Sequence, residues 1–352
     1  MSGTDVVTPE TLPRGPLMCG VEGTVLTDGD RRRLRDPRVG GVILFSRNVE
    51  TPGKLVALCD EIRALRSPPL VIGIDQEGGR VQRLRGQGFV DIPPMRRLGE
   101  RFSEAPEAAE QEAYRWGTLI GGGLRCFRVD FSFTPVLDLD YGKSTVIGDR
   151  AFAASPEAVA RLAGALRRGL NATGCAAVGK HFPGHGWIEA DSHHDMPVDT
   201  RTMDAIEPDL VPYRALIAEG LEGVMMAHVK YPSLDLLSAG YSAFWVREVL
   251  REALGFDGLV FSDDLGMAGA ALESGAGNDW AMRADAALAA GCDVVLACND
   301  FVAIDDMLTR WALSLDAEQS ATLARRWQMM TGSFHEAGGT GVKPLVDAPV
   351  IF

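Results

Sequence analysis

No apolar run in this chain approaches the roughly 18 residues needed to cross a bilayer, and residues 1–14 lack the charged-then-apolar pattern of a signal peptide. Basic charge is also short. The 35 Lys and Arg against 48 Asp and Glu leave a formal net charge of −13. No basic block stands out, which argues against nucleic acid or an anionic membrane as the main partner. The short run Arg31-Arg32-Arg33, with Asp28, Asp30 and Asp36 beside it, reads as a solvated helix start. Cysteine is sparse too: Cys19, Cys59, Cys126, Cys175, Cys292 and Cys298 are scattered without a CxxC pair. They read as small buried hydrophobes in a reducing compartment, not as disulfides or a zinc site. A soluble, cytoplasmic protein is the expectation.

What is present is a rhythm. Short apolar runs recur, each closing on polar residues: Pro16 to Val21 before Glu22, Gly40 to Phe45 before Ser46-Arg47-Asn48, and Leu70 to Ile74 before Asp75. The segment from Val129 to Leu137 precedes Asp138, and Ala176 to Val178 precedes Lys180-His181. Gly223 to Ala227 leads to His228, Gly258 to Phe261 to Ser262-Asp263-Asp264, and Asp293 to Ala297 to Cys298-Asn299-Asp300. Eight such runs, apolar throughout, suit strands buried on both faces.

Helix-like stretches fall between them: Lys54 to Leu65, Ala105 to Gly122, Pro156 to Asn171, Pro208 to Glu219, Ala243 to Ala253 and Asp279 to Ala290. Ser155-Pro156-Glu157 is a strong helix start, with Ser as N-cap, Pro at the first position and an acid in the first turn. Alternation of this kind predicts a single-domain (β/α)8 TIM-type barrel, with an open doubly wound sheet as the competitor. The barrel is expected over residues 15–335, after an extension at 1–14 and before a tail at 336–352. A last helical pattern, Asp316 to Met330, is expected to pack outside it.

In a barrel, the polar residues that close each strand gather at one face, where barrel enzymes place their chemistry. Four of the six histidines lie between His181 and His194, in a loop broken by Pro183, Gly184 and Gly186. Histidine titrates nearest neutrality, so proton transfer is a natural use for such a loop. Asp75 with Arg83, Arg150, Lys180 and His181 supplies a carboxylate acceptor among cationic donors, a set suited to a ligand with many hydroxyls. Asp263, a strand-end acid near cations, is the candidate nucleophile. Asp191, two residues before His193, can hold one nitrogen of that imidazole, which makes the pair a candidate proton donor.

Plainer readings stand beside these. Asp75 and Arg83 also suit a structural ion pair bracing the glycine turn, and His228 a satisfied core histidine. Asp264 suits a helix N-cap, Asp195 a loop acid, and His185 a brace for its own turn. Trp187 suits either a contact to a leaving group or a weight that packs its loop down.

Four segments together carry a resemblance: Asp75-Gln76-Glu77-Gly78-Gly79-Arg80-Val81, Lys180-His181-Phe182-Pro183-Gly184-His185-Gly186, Asp191-Ser192-His193 and Phe261-Ser262-Asp263-Asp264-Leu265-Gly266-Met267. In order and content they resemble glycoside hydrolase family 3, and within it the single-domain bacterial β-N-acetylglucosaminidases. The likeness runs from about Gly15 to Asn299 and includes Gly40 to Asn48 and Met226-Ala227-His228-Val229.

It implies a cofactor-free, metal-free enzyme of peptidoglycan recycling, acting on muropeptides whose N-acetylglucosamine is joined to 1,6-anhydro-N-acetylmuramic acid. Hydrolysis would retain configuration through a covalent glycosyl-enzyme, with Asp263 as nucleophile and His193, supported by Asp191, as general acid/base. Asp75, Arg83, Arg150, Lys180 and His181 would hold the sugar. A monomer or weak homodimer is expected, with a small carbohydrate as partner and neither nucleic acid nor membrane. The competing classes are a metal-dependent barrel hydrolase built on His181, His185, His193, His228 and Asp263, and a sugar-binding barrel without turnover. A β-glucoside hydrolase of the same family is a nearer neighbour.

Overall fold

The computed structural model describes residues 10–86, 89–189, 196–272 and 279–331. Eight strands form its centre: β1 (Leu17–Cys19), β2 (Val39–Leu44), β3 (Val71–Ile74), β4 (Phe131–Ser132), β5 (Ala176–Phe182), β6 (Gly223–Met226), β7 (Leu259–Asp264) and β8 (Val294–Ala297). Each pairs in parallel with the next, and β8 pairs back onto β1, which closes the sheet into a barrel. The predicted (β/α)8 barrel is therefore the fold. β4 is much shorter than its apolar run, because Pro135 has no N–H to donate to a ladder. Val136 rejoins as a single bridge to Lys180.

The expected helices are present, with small shifts at their ends: Pro52–Ala64, Pro106–Cys126, Pro156–Ala172, Trp280–Ala290 and, with wider π-type turns, Phe244–Ala253. Ser155 caps its helix as expected, accepting from the Ala158 N–H at 3.3 Å. The helix expected from Pro208 begins earlier, at Met203, and carries Pro208 and Pro212 inside it. Three further helices, Asp28–Leu34, Arg96–Glu104 and Phe301–Arg310, complete the ring. The first is less solvated than its charges suggest, since Arg33 and Asp30 are buried together at 2.9 Å. Cys126 is exposed, while the other five cysteines are buried and all six are free thiols. None of the helices among the described residues is long and apolar enough to cross a membrane.

The final helix, Ala317–Met330, corrects one expectation. It does not lie outside the barrel but closes the barrel's amino-terminal mouth. Leu323, Trp327 and Met330 join Met18, Ile43, Val71, Phe131, Val178 and Phe261 in the barrel's interior core. Trp327 is fully buried, and its indole N–H donates to the Gly15 carbonyl at 3.0 Å. A Cβ on Gly40 would sit 2.6 Å from the indole nitrogen, so only glycine admits the ring there. With one mouth plugged, the other carries the site.

Candidate active site

β3 delivers Asp75 to the carboxyl-end face, and the chain continues into an antiparallel ribbon in which Gln76–Gly78 pairs with Val81–Gln82. Gly78 and Gly79 turn it with φ of 103° and 54°, backbone that favours glycine. Extended chain alternates its side chains. Asp75 and Glu77 line the cavity, while Gln76 turns away, its Oε1 accepting the Arg83 and Leu84 N–H groups at 3.0 Å each. That brace seats Arg83 over Phe45, 5.6 Å from the ring centre.

Lys180, near the end of β5, donates to Asp75 Oδ1 at 2.8 Å and to Glu77 Oε1 at 2.6 Å. Arg83 Nη2 donates to Asp75 Oδ2 at 3.2 Å. Arg150, in a single turn at Gly148–Arg150, forks onto Glu77 with Nε and Nη2 each at 2.8 Å. Three cations thus share two carboxylates. Behind them, the Asp138 carboxylate accepts His181 Nδ1–H at 2.7 Å and the backbone N–H groups of His181 and His185. His181 Nε2 is left for whatever fills the cavity.

Asp263 and Asp264 close β7. Asp263 Oδ1 accepts the Asp264 N–H at 2.8 Å, which fixes the carboxylate's orientation. Asp264 is not the expected helix N-cap. Its Oδ1 accepts the Gly266 and Cys298 N–H groups at 3.1 Å each, tying β7 to the end of β8, and Asp279 caps the next helix instead. His228 takes the plain role: it is fully buried, and its Nε2–H donates to the Asp264 carbonyl at 3.2 Å. Burial pushes its pKa down, as it does for His185, where the His181 charge adds to the effect.

One cavity of about 340 Å³ gathers Asp75, Arg83, Arg150, Lys180, His181 and Asp263 from four different strand ends. Asp191, His193 and Asp195 lie outside the described residues. The sequence reading does not single out Glu77, Asp138 or Gln76, although Glu77 and Gln76 lie inside a quoted motif and Asp138 closes an apolar run. Trp187 packs down: it meets Tyr141 edge-on at 5.0 Å and stacks with Lys143 and Arg201 at 3.4 and 4.9 Å. Among the described residues, no three His, Cys, Asp or Glu side chains stand close enough to share a metal ion.

Three carboxyls here sit below their ordinary values of 3.8 for Asp75 and Asp138 and 4.5 for Glu77. In each, burial pushes the carboxyl up and neighbouring cations more than offset it: Lys180 and Arg83 at Asp75, Arg150 and Lys180 at Glu77, His181 at Asp138. A carboxyl held lower in the folded chain contributes stability above its unfolded pKa and loses it as pH falls through the folded one. The urea midpoint is therefore expected to drop steeply below about pH 4. An unchanged midpoint across that range would contradict the burial and pairing just described.

A model of the glycosyl hydrolase family 3 N terminal domain matches residues 21–325. The chain belongs to glycosyl hydrolase family 3. Within it, the β-hexosaminidase of Thiobacillus denitrificans is 54% identical over 312 residues, covering 88% of this chain and 86% of its own. That of Bordetella avium is 54% identical over 303 residues, covering 86% and 85%. Among solved structures, NagZ from Neisseria gonorrhoeae in complex with N-trifluoroacetyl-D-glucosamine superposes with a TM-score of 0.86 at 44% identity, over 92% of each chain. The resemblance within the family is thus to the NagZ type.

Proposed function

We propose that this β-N-acetylhexosaminidase is a retaining, exo-acting β-N-acetylglucosaminidase. Its substrate would be a peptidoglycan fragment with terminal N-acetylglucosamine on 1,6-anhydro-N-acetylmuramic acid, taken up in the cytoplasm during recycling of the wall. The observation that carries this reading is the single cavity in which an oriented strand-end carboxylate, Asp263, shares the walls with a cluster of cations and carboxylates. Such a cluster can donate to and accept from every hydroxyl of one sugar ring. The gonococcal relative's N-acylated glucosamine ligand supports the same class of sugar.

In this mechanism the ionised Asp263 oxygen attacks C1 of the sugar from one face as the bond to the leaving oxygen breaks. His193, its other nitrogen held by Asp191, gives that oxygen a proton. The neutral imidazole then takes a proton from water, whose oxygen attacks C1 and expels Asp263, restoring the starting configuration. An imidazole replaces the usual second carboxylic acid. A pKa near neutrality serves both proton transfers, and a neutral or cationic donor avoids repelling leaving groups that carry carboxylates. Residues 15–335 are read as the catalytic unit, acting as a monomer or weak homodimer without a cofactor.

The test is kinetic. His193→Ala is expected to lose roughly 10²- to 10⁴-fold in turnover on a disaccharide, and much less on an aryl β-N-acetylglucosaminide whose leaving group needs no proton. Equal losses on both substrates would remove His193 from the general-acid role. Abolition of wild-type turnover by a chelator would favour the metal-hydrolase class.

A further inference from the structure

We infer that Glu77 is a positioning residue of the sugar site: its buried carboxylate aims Arg150 and Lys180 into the cavity. The inference rests on reading the cavity as a sugar site.

Glu77 is 2% exposed, yet it holds two cations from two other strand ends, Arg150 through a two-point fork and Lys180 through Oε1 at 2.6 Å. An ammonium has three donors. Asp75 and Glu77 take two of those on Lys180, so the third has one direction left to it. The Arg150 fork is fixed likewise, since Nε and Nη2 are on Glu77 and Nη1 donates to the Val146 carbonyl at 3.2 Å.

The charge count leads to the same role. Three cations, Arg83, Arg150 and Lys180, meet two carboxylates, Asp75 and Glu77. With Glu77 in place, Asp75 receives Lys180 and Arg83 among the described residues, one on each oxygen, and its remaining lone pairs can accept ligand hydroxyls. Without it, Lys180 would keep its bond to Asp75 alone, and Arg150 would lose both points of its fork. The local chain is built for this placement: Gln76, between the two acids, faces the other way and ties the ribbon to Arg83 and Leu84.

The experiment compares wild type, Glu77→Asp, Glu77→Gln, Arg150→Met and Glu77→Gln/Arg150→Met. The readouts are kcat and KM on an aryl β-N-acetylglucosaminide, the inhibition constant of free N-acetylglucosamine, and the thermal midpoint. Glu77→Gln puts an amide donor against two cations and is expected to weaken N-acetylglucosamine binding roughly 10- to 100-fold, as loss of an orienting partner does. Glu77→Asp, which keeps the charge but shortens its reach, should recover part of that loss. Added to Arg150→Met, Glu77→Gln should cost clearly less than it does alone, because part of its effect runs through Arg150.

Full additivity in the double variant would mean that Glu77 acts independently of Arg150, and it would overturn the inference. So would a Glu77→Gln that shifts only the thermal midpoint and leaves the inhibition constant unchanged. If Glu77→Gln does not fold, Glu77→Asp decides: an unchanged inhibition constant overturns the inference. A wild type that neither hydrolyses the glycoside nor binds N-acetylglucosamine overturns the sugar-site reading itself, and this inference with it.

Discussion

Asp263→Asn is expected to lower kcat/KM on an aryl β-N-acetylglucosaminide by roughly 10⁴-fold or more, the scale seen when a nucleophile is removed. The amide keeps the shape of the side chain and can still accept the Asp264 N–H that orients it. It loses the charge that the proposed mechanism uses to attack C1. Fold and sugar binding are expected to survive, so the loss should fall on kcat while the inhibition constant of N-acetylglucosamine changes little. The neighbouring acid provides the contrast. Asp264 ties β7 to β8 through two backbone N–H groups, and burial raises its pKa. Asp264→Asn should therefore act mainly on stability. Retention of near-normal turnover in Asp263→Asn would remove the proposed nucleophile.

Trp327→Ala is the second large effect, at the opposite end of the barrel. The indole fills the amino-terminal mouth, packs 6.1 Å from the Phe261 ring and holds the Gly15 carbonyl. Truncating a buried aromatic of this kind costs about 3–5 kcal/mol, read as a lower urea midpoint with an unchanged slope. Because the site lies at the other mouth, the folded variant should keep its kcat/KM at low temperature. A loss below about 1 kcal/mol would show that the plug is incidental, since surface changes fall in that range.

The two ends of the barrel also differ in how much the sequence discloses. Strands buried on both faces must be apolar throughout, and a barrel strand must end at the site, so Asp75, Lys180 and Asp263 stand out as polar residues closing apolar runs. Arg83, Arg150 and His181 join them in the same cavity. Glu77 and Gln76 are harder to tell apart. They are adjacent polar residues in a ribbon, and only the phase of that ribbon decides which one faces the ligand.

The helix at Ala317–Met330 poses a similar problem. Its pattern shows an apolar face but not what that face covers, and only the glycine at position 40 hints at a bulky visitor. Pro208 misled in another way. Proline marks helix starts often enough to be read as one, yet here it sits six residues into the helix that begins at Met203. Asp264 followed the same pattern: an acid after a strand resembles an N-cap until its backbone partners are known.

In the proposed mechanism a covalent sugar ester forms on Asp263. The most direct measurement is to incubate the wild-type protein with a fluorinated N-acetylglucosaminyl fluoride, whose intermediate breaks down slowly, and to map the modified peptide by mass spectrometry. The account predicts a stoichiometric adduct of one sugar on the peptide containing Asp263, absent in Asp263→Asn. Steady turnover with no adduct, or an adduct on a different carboxylate, would contradict it.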